Sequence, residues 1–133
     1  MSQFSALLPV FAQDEALHRV LESIDHGESG CVVAPAGARI PLIASMAQRR
    51  DKTIYVVVPT GREAEETASA LRAWVDEVEV FPSWETLPHE RLSPQVDTMA
   101  QRIAVLRRLI HPQSGDEHAG ALNVVVIPVR ALM

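Results

Sequence analysis

The chain has 133 residues, of which 47% are hydrophobic and 22% charged, and its formal net charge is −5. This length suits one domain with a single core, and the acidic balance argues against a domain that grips nucleic acid by itself. A lone cysteine excludes an internal disulfide, and no apolar run reaches the roughly 20 residues that span a bilayer. We therefore expect one cytoplasmic domain over residues 1–133, with no membrane partner.

The N-terminal third predicts a helix and then a strand–turn–helix unit. Apolar residues first recur at helical spacing: Leu17, Val20, Leu21 and Ile24. Asp14 precedes them as a candidate N-cap. The run SGCVVA, residues 29–34, predicts a short strand in which Cys31 is a small buried hydrophobe rather than a reactive thiol. Pro41 suits the first turn of a helix. We therefore predict a strand, a turn and a helix over residues 30–50.

Further along the chain, strands and helices alternate. The runs at 53–58 and 122–129 are typical of strands buried on both faces, and EVEVF at 77–81 predicts a shorter strand. Two helices lie between them, one opened by a capping box at Thr60 and one capped by Ser93. The buried face of the second helix is predicted to consist of six residues: Val96, Met99, Ala100, Ile103, Leu106 and Ile110.

The alternation of four strands with helices predicts the fold class. Right-handed crossovers between parallel strands give an α/β fold, an open and mostly parallel sheet with helices on both faces. The sequence stops just after a strand, so we expect an N-terminal fragment of a longer protein.

The most specific motifs lie in FPSWETLPHERLSPQVDTMAQRIAVLRRL, residues 81–109, and in NVVVIPVRALM, residues 123–133. These residues resemble the N-terminal segment of bacterial transcription-repair coupling factors, which is similar in turn to the first ATPase lobe of the excision-repair protein UvrB. The resemblance implies a UvrB-like module, the first part of a split RecA-like lobe of the P-loop NTPase type. It also implies that the full-length protein is an ATP-dependent DNA translocase that uses ATP and Mg²⁺. Its partners would be RNA polymerase, UvrA and double-stranded DNA, whereas the fragment would mainly contact the rest of its own chain.

The turn around Gly37 has the outline of a phosphate-binding loop but a different composition. Aligned with the UvrB pattern, its three glycines fall on Ala34, Gly37 and Arg39. The lysine falls on Ile40 and the hydroxyl residue on Pro41, so the charge for the phosphates and the ligand for Mg²⁺ are missing. We therefore predict no ATP hydrolysis and no cofactor in this fragment. Arg39 has two interpretations, an anion ligand or a solvated arginine.

The loop PSWETLPHERLSP carries the other candidate site. Glu85, His89 and Glu90 offer a carboxylate–imidazole group for acid/base chemistry, but no nucleophile accompanies them. We favour a structural or partner-contacting role for this loop, with Trp84, Glu85, His89 and Arg91 as the contact residues. Trp84 is interpreted as an anchor on the core rather than a platform for a base.

Two polar clusters have a functional and a structural interpretation. Four arginines surround the last predicted helix: Arg91, Arg102, Arg107 and Arg108. They form either a basic face for DNA or an acidic partner, or a solvated helix surface. His111 and His118 flank acidic residues in a polar loop without metal-ligand spacing, so we expect no metal.

Three functions remain open from the sequence. The favoured one is a non-catalytic scaffold lobe in a protein that releases stalled RNA polymerase and recruits UvrA for nucleotide excision repair. The second is a residual nucleotide- or phosphate-binding lobe that uses Gly37 and Arg39. The third is a module that contacts UvrA directly.

Overall fold

A computed structural model describes residues 2–49, 52–84, 96–113 and 120–133. Within these ranges the strands are β1 (Ile54–Val58), β2 (Val78–Val80) and β3 (Val124–Pro128). The α-helices are α1 (Leu8–Phe11), α2 (Glu15–Asp25), α3 (Arg39–Arg49), α4 (Gly61–Arg72) and α5 (Val96–Ile110). None of these helices has both the length and the apolar character needed to cross a membrane.

The strands form a parallel sheet in the order β1-β3-β2. Val124 of β3 is aligned with Ile54 on one side and with Val78 on the other. All five residues of β3 are buried, as expected for a central apolar strand. The predicted α/β fold with an open parallel sheet is confirmed, and it is consistent with a partial RecA-like lobe.

The first face of the sheet carries the larger core and is covered mainly by α4. Ala64, Ala68 and Leu71 of this helix are completely buried, and the two alanines let the helix approach the strands closely. The predicted cap is present, because the Thr60 side chain accepts a hydrogen bond from the Glu63 N–H at 3.2 Å. Helix α3 adds buried alanines to the same core.

The second face is covered by α5, with Val105 packed among four buried residues: Leu122, Val125, Ile127 and Ala131. The prediction for the buried face of α5 is wrong. All six residues that the sequence assigned to that face are exposed, whereas Thr98 and Val105 are buried. The helix is therefore rotated about its axis from the expected orientation.

The strand predicted around Cys31 does not form. Residues 31–34 have no strand partner among the described residues, and Val33 is 95% exposed. Cys31 is exposed rather than buried. A strand needs a neighbour for its backbone N–H and C=O groups, and none of the described strands is aligned with residues 31–34. The prediction that residues 53–58 are buried on both faces is also wrong, because Tyr55 and Val57 are exposed.

The predicted N-terminal helix is confirmed as α2. Asp14 is its N-cap and accepts a hydrogen bond from the Leu17 N–H at 2.9 Å. Of the apolar residues at helical spacing, Leu21 is fully buried and the others are half-buried. Helix α2 therefore lies at the margin of the core, where it forms one wall of a cleft.

Candidate functional site at the Gly37 turn and the Trp84 loop

The turn around Gly37 is a short 3-10 helix, Ala36–Ala38, that runs directly into α3. Within it the Ala38 N–H donates to the Pro35 carbonyl at 2.9 Å, and the Arg39 N–H donates to the Ala36 carbonyl. A phosphate-binding loop instead points successive N–H groups at the anion. Two donors of this turn are therefore already used inside the turn.

Gly37 is not required by the shape of the turn. It does not adopt a positive φ angle, and a Cβ atom added to it would meet nothing within 4 Å. In a phosphate-binding loop glycines are needed for tight turns and for close approach of the backbone to the ligand. The turn at Gly37 has neither a conformation nor a close backbone contact that requires glycine.

The residues at the lysine and hydroxyl positions are used for packing. Ile40 is half-buried against the core of the first face, and Pro41 is buried within the first turn of α3. Ala34 and Arg39 are exposed. Arg39 is thus the charged group at this helix start, and its exposure agrees with a solvated arginine.

A cleft of about 550 Å³ lies between α2, residues 31–35 and the start of α3. Its walls are largely apolar, and they include Phe11, Leu17, Val20, Val33 and Leu42. Asp14, the cap of α2, is also part of the lining. An apolar wall beside a carboxylate disfavours a phosphate, because the anion would lose hydration and meet a like charge.

Trp84 is held by an arginine of α5. The Arg102 guanidinium lies 4.0 Å from the Phe81 ring centroid and 4.4 Å from that of Trp84. It also donates a hydrogen bond to the Pro82 carbonyl at 2.5 Å. Partial burial lowers the pKa of Arg102 from its usual value. We call these four residues the Arg102 clasp; it fixes the segment after β2 to α5, while Trp84 remains 41% exposed.

Arg108 is also turned toward the strands. It forms ion pairs with Glu77 and with Glu79, the latter at 3.4 Å, and its Nε donates to the Gly120 carbonyl at 3.2 Å. Arg102 and Arg108 therefore belong neither to an open basic face nor to a fully solvated surface. Arg91 lies outside the described residues.

The remaining candidates of this loop, Glu85, His89 and Glu90, also lie outside the described residues, as does His118. Their proposed roles stay predictions. His111 is exposed just beyond the end of α5. In the part of the chain that the structure describes, no three His, Cys, Asp or Glu residues group together as a metal site would require.

Sequence reasoning missed both arginine contacts, although the pattern contains a clue to each. The alternation in EVEVF predicts Glu77 and Glu79 on the same side of the strand, where one cation can pair with both. Phe81 and Trp84 are two aromatic residues at a strand end, which is a suitable platform for a guanidinium. The sequence does not tell which arginine contacts the two carboxylates and which contacts the two rings, because that depends on how α5 is rotated about its axis.

No family model matches the chain. Curated proteins named transcription-repair-coupling factor do match it. Those of Mycobacterium bovis and Mycobacterium tuberculosis are each 49% identical over 104 residues, which is 77% of this chain. The Escherichia coli protein is 27% identical over 93 residues, 69% of this chain.

The chain resembles transcription-repair-coupling factors. The matched segment is 8% of each mycobacterial relative and 7% of the Escherichia coli one, so these relatives are far longer than this chain. The similarity supports a segment of such a factor.

Proposed function

We propose that the chain is the non-catalytic, UvrB-like scaffold lobe of a transcription-repair-coupling factor. The 49% identity to the mycobacterial relatives is the observation that carries this proposal. In this proposal the lobe is a rigid platform that positions neighbouring domains of the same polypeptide. Its sheet and helices supply that rigidity, and its degenerate loop supplies no chemistry.

The non-catalytic assignment is supported by the surroundings of the Gly37 turn. Ile40 and Pro41 stand where a lysine and a hydroxyl residue would meet the phosphates and Mg²⁺, and both pack into apolar surroundings. Two backbone donors are used within the turn, and the acidic residue Asp14 lines the adjoining cleft. Each of these features disfavours an anionic ligand.

The activities of the whole protein are proposed for polypeptide outside this segment. They are ATP- and Mg²⁺-dependent translocation on double-stranded DNA, release of stalled RNA polymerase and recruitment of UvrA in the cytoplasm. The support for them is the family resemblance together with the small share of the relatives that this chain spans.

The proposal is tested by calorimetric titration of Mg²⁺ and ATP into the 133-residue chain. We expect no binding tighter than about 100 μM, a free energy of about −5.5 kcal/mol. The double variant Ile40→Lys with Pro41→Thr restores the two missing groups. We expect it to gain little affinity, because the N–H groups of the turn remain engaged. Tight binding by the unmodified chain that is lost in Arg39→Ala would establish a residual nucleotide site instead.

A direct contact with UvrA is the second candidate, favoured by the presentation of Trp84. The Arg102 clasp holds this large side chain in one place, and much of its surface is still exposed. Aromatic residues in such positions are common centres of protein interfaces. If Trp84→Ala weakens retention of UvrA by the full-length protein while Val10→Ala, a change at another exposed apolar residue, does not, this candidate replaces the purely structural role.

A further inference from the structure

Helix α5 carries an apolar stripe on the side that faces away from the sheet. Its buried residues, Thr98 and Val105, lie on the opposite side, where Val105 packs on the second face. At about 100° per residue, the stripe lies about 100–180° around the helix axis from Val105. Each of its side chains is between 41% and 74% exposed. We call these five residues the α5 stripe: Val96, Met99, Ile103, Leu106 and Ile110.

The α5 stripe has the spacing of a coiled-coil seam, because its members alternate at intervals of three and four residues. Val96, Ile103 and Ile110 occupy the a positions of consecutive heptads, and Met99 and Leu106 occupy the d positions. β-Branched residues at a with leucine at d favour pairing with one other helix. The c positions, which lie on the outside of a two-stranded coiled coil, are the ones that α5 buries. The seam itself is thus left for an outside helix.

The flanks of the α5 stripe are basic. Arg102 is at a g position and Arg107 at the following e position, and these are the positions that form ion pairs between helices. The other e and g residues, Ala100 and Leu109, are uncharged. In the described part of the chain the partners of Arg102 are two aromatic rings and the Pro82 carbonyl, which are also uncharged. Carboxylates on a docked helix would therefore complement both flanks.

The same charges argue against a second copy of this chain as the occupant. In a parallel pair of α5 helices, Arg102 of each copy faces Arg107 of the other, so the contact occurs twice by symmetry. In an antiparallel pair, g positions face g positions and e positions face e positions, which again brings arginines together. Like charges at neighbouring positions are destabilising. Self-pairing is disfavoured in both orientations.

The α5 stripe adjoins the exposed ring of Trp84. Arg102 is three residues after Met99 and four before Leu106, so it is their neighbour on the helix surface. The guanidinium of the same arginine lies 4.4 Å from the Trp84 ring centroid, and that ring is 41% exposed. Tryptophan and arginine are enriched at the centres of protein–protein interfaces. The stripe is therefore continuous with the candidate contact residue of this lobe.

We propose that the α5 stripe docks an amphipathic helix of another protein, with apolar residues at its a and d positions and Asp or Glu at its e and g positions. The inference rests on the second candidate under the proposed function, a lobe that contacts a protein partner, and it specifies the chemistry of that partner. From Val96 to Ile110 the helix rises by about 21 Å. Such a short seam buries little surface, so we expect a weak and reversible association.

The experiment titrates a labelled peptide with the 133-residue chain and follows fluorescence anisotropy. The peptide is about four heptads long, with Ile at a, Leu at d and Glu at e and g, and we call it the Glu peptide. The Lys peptide is its control and has Lys at e and g. We expect the Glu peptide to bind about tenfold more tightly than the Lys peptide. The full-length protein should bind the Glu peptide with similar affinity.

Three variants define the site. Ile103→Glu places a charge in the α5 stripe and should weaken binding of the Glu peptide about tenfold or more. Ala104→Glu, the matched control, adds the same charge at an exposed position outside the stripe and should change binding by less than about twofold. Arg107→Glu should weaken the Glu peptide and strengthen the Lys peptide, each by about threefold. A merely structural role of this arginine would not produce that exchange of preference.

Four results would overturn the proposal. The first is equal binding of the two peptides, or no binding, by the unmodified chain. The second is global unfolding by Ile103→Glu, seen by circular dichroism, which would place the stripe in the core. The third is self-association in sedimentation that Ile103→Glu abolishes, which would make a second copy the occupant. The fourth is binding by the 133-residue chain but not by the full-length protein, which would make its own polypeptide the occupant.

A failure of this inference is distinguishable from a failure of the proposed function. The nucleotide titration and the retention of UvrA do not use either peptide, and none of the three variants changes the Gly37 turn or Trp84. Loss of peptide binding in Ile103→Glu with retention of UvrA unchanged would assign the stripe to a different protein partner.

Discussion

Residues 30–50 and the segment that begins at residue 53 were both predicted to form a strand, a turn and a helix, and the structure differs between them. Both helices form, as α3 and α4. Only the second strand forms: β1 pairs with β3 along five residues, whereas residues 31–34 have no strand partner in the described part of the chain. A helix satisfies its own backbone, so local sequence is sufficient for it; a strand needs a neighbour.

The starts of helices α3 and α4 also differ. Helix α4 begins at a side-chain cap, Thr60, which satisfies the Glu63 N–H. Helix α3 is entered through the 3-10 turn at Ala36–Ala38, which satisfies its N–H groups with backbone carbonyls. Neither entry resembles a loop that keeps its donors free for an anion, although the second has the outline of one in the sequence.

The two regions should differ most in how far a valine-to-alanine substitution lowers the free energy of unfolding. Val126→Ala in β3, the strand that holds β1, removes a completely buried side chain and should lower the free energy of unfolding by about 2–3 kcal/mol. Val33→Ala removes the same atoms from a residue that is almost fully exposed and should change it by less than about 0.5 kcal/mol. Urea denaturation measures both. An equal loss in the two variants would show that residues 31–34 are packed as a strand in solution.

A smaller effect is expected at the start of α4. Thr60→Ala removes the N-cap and should lower the free energy of unfolding by about 1 kcal/mol. Thermal unfolding followed by circular dichroism measures the change. Thr60→Ser keeps the hydroxyl and should recover most of the stability; the cap would be irrelevant if serine and alanine were equally destabilising.

The smallest effect is expected at the start of α3, with the opposite sign. Gly37→Ala meets no steric obstacle and restricts the unfolded chain, so it should raise the free energy of unfolding by about 0.5 kcal/mol. Gly27, with φ of 77°, is the matched control, because alanine is strained there and should cost about 1 kcal/mol. Urea denaturation distinguishes the two. A destabilising Gly37→Ala would mean that the turn needs its glycine after all.

The sequence was most informative where local rules decide the structure. The apolar run at 122–129 correctly indicated a strand buried on both faces, and the cap at Thr60 marked the start of α4. It was misleading for α5. The more apolar row, Val96 to Ile110, was taken as buried. The structure instead buries Thr98 and Val105, and it places Arg102 and Arg108 against aromatic and carboxylate partners after and within β2.

In the candidate site, too, some features could be predicted from the sequence and others could not. The replacement of a lysine and a hydroxyl residue by Ile40 and Pro41 was visible in the sequence, because it depends on residue identity alone. The apolar cleft beside Asp14 and the Arg102 clasp were not, because each joins segments that are distant in the chain. Tertiary packing selects these contacts, and no short motif encodes it.

The central position of β3 has a consequence for the synthesis of the protein. Both β1 and β2 pair with β3, so 70 residues separate Ile54 from its aligned partner Val124. The pairing of β1 and β2 must therefore wait until β3 has been synthesised. At about 5–20 residues per second, translation leaves the apolar β1 unpaired for several seconds. During that interval its unpaired N–H and C=O groups are open to pairing with other chains.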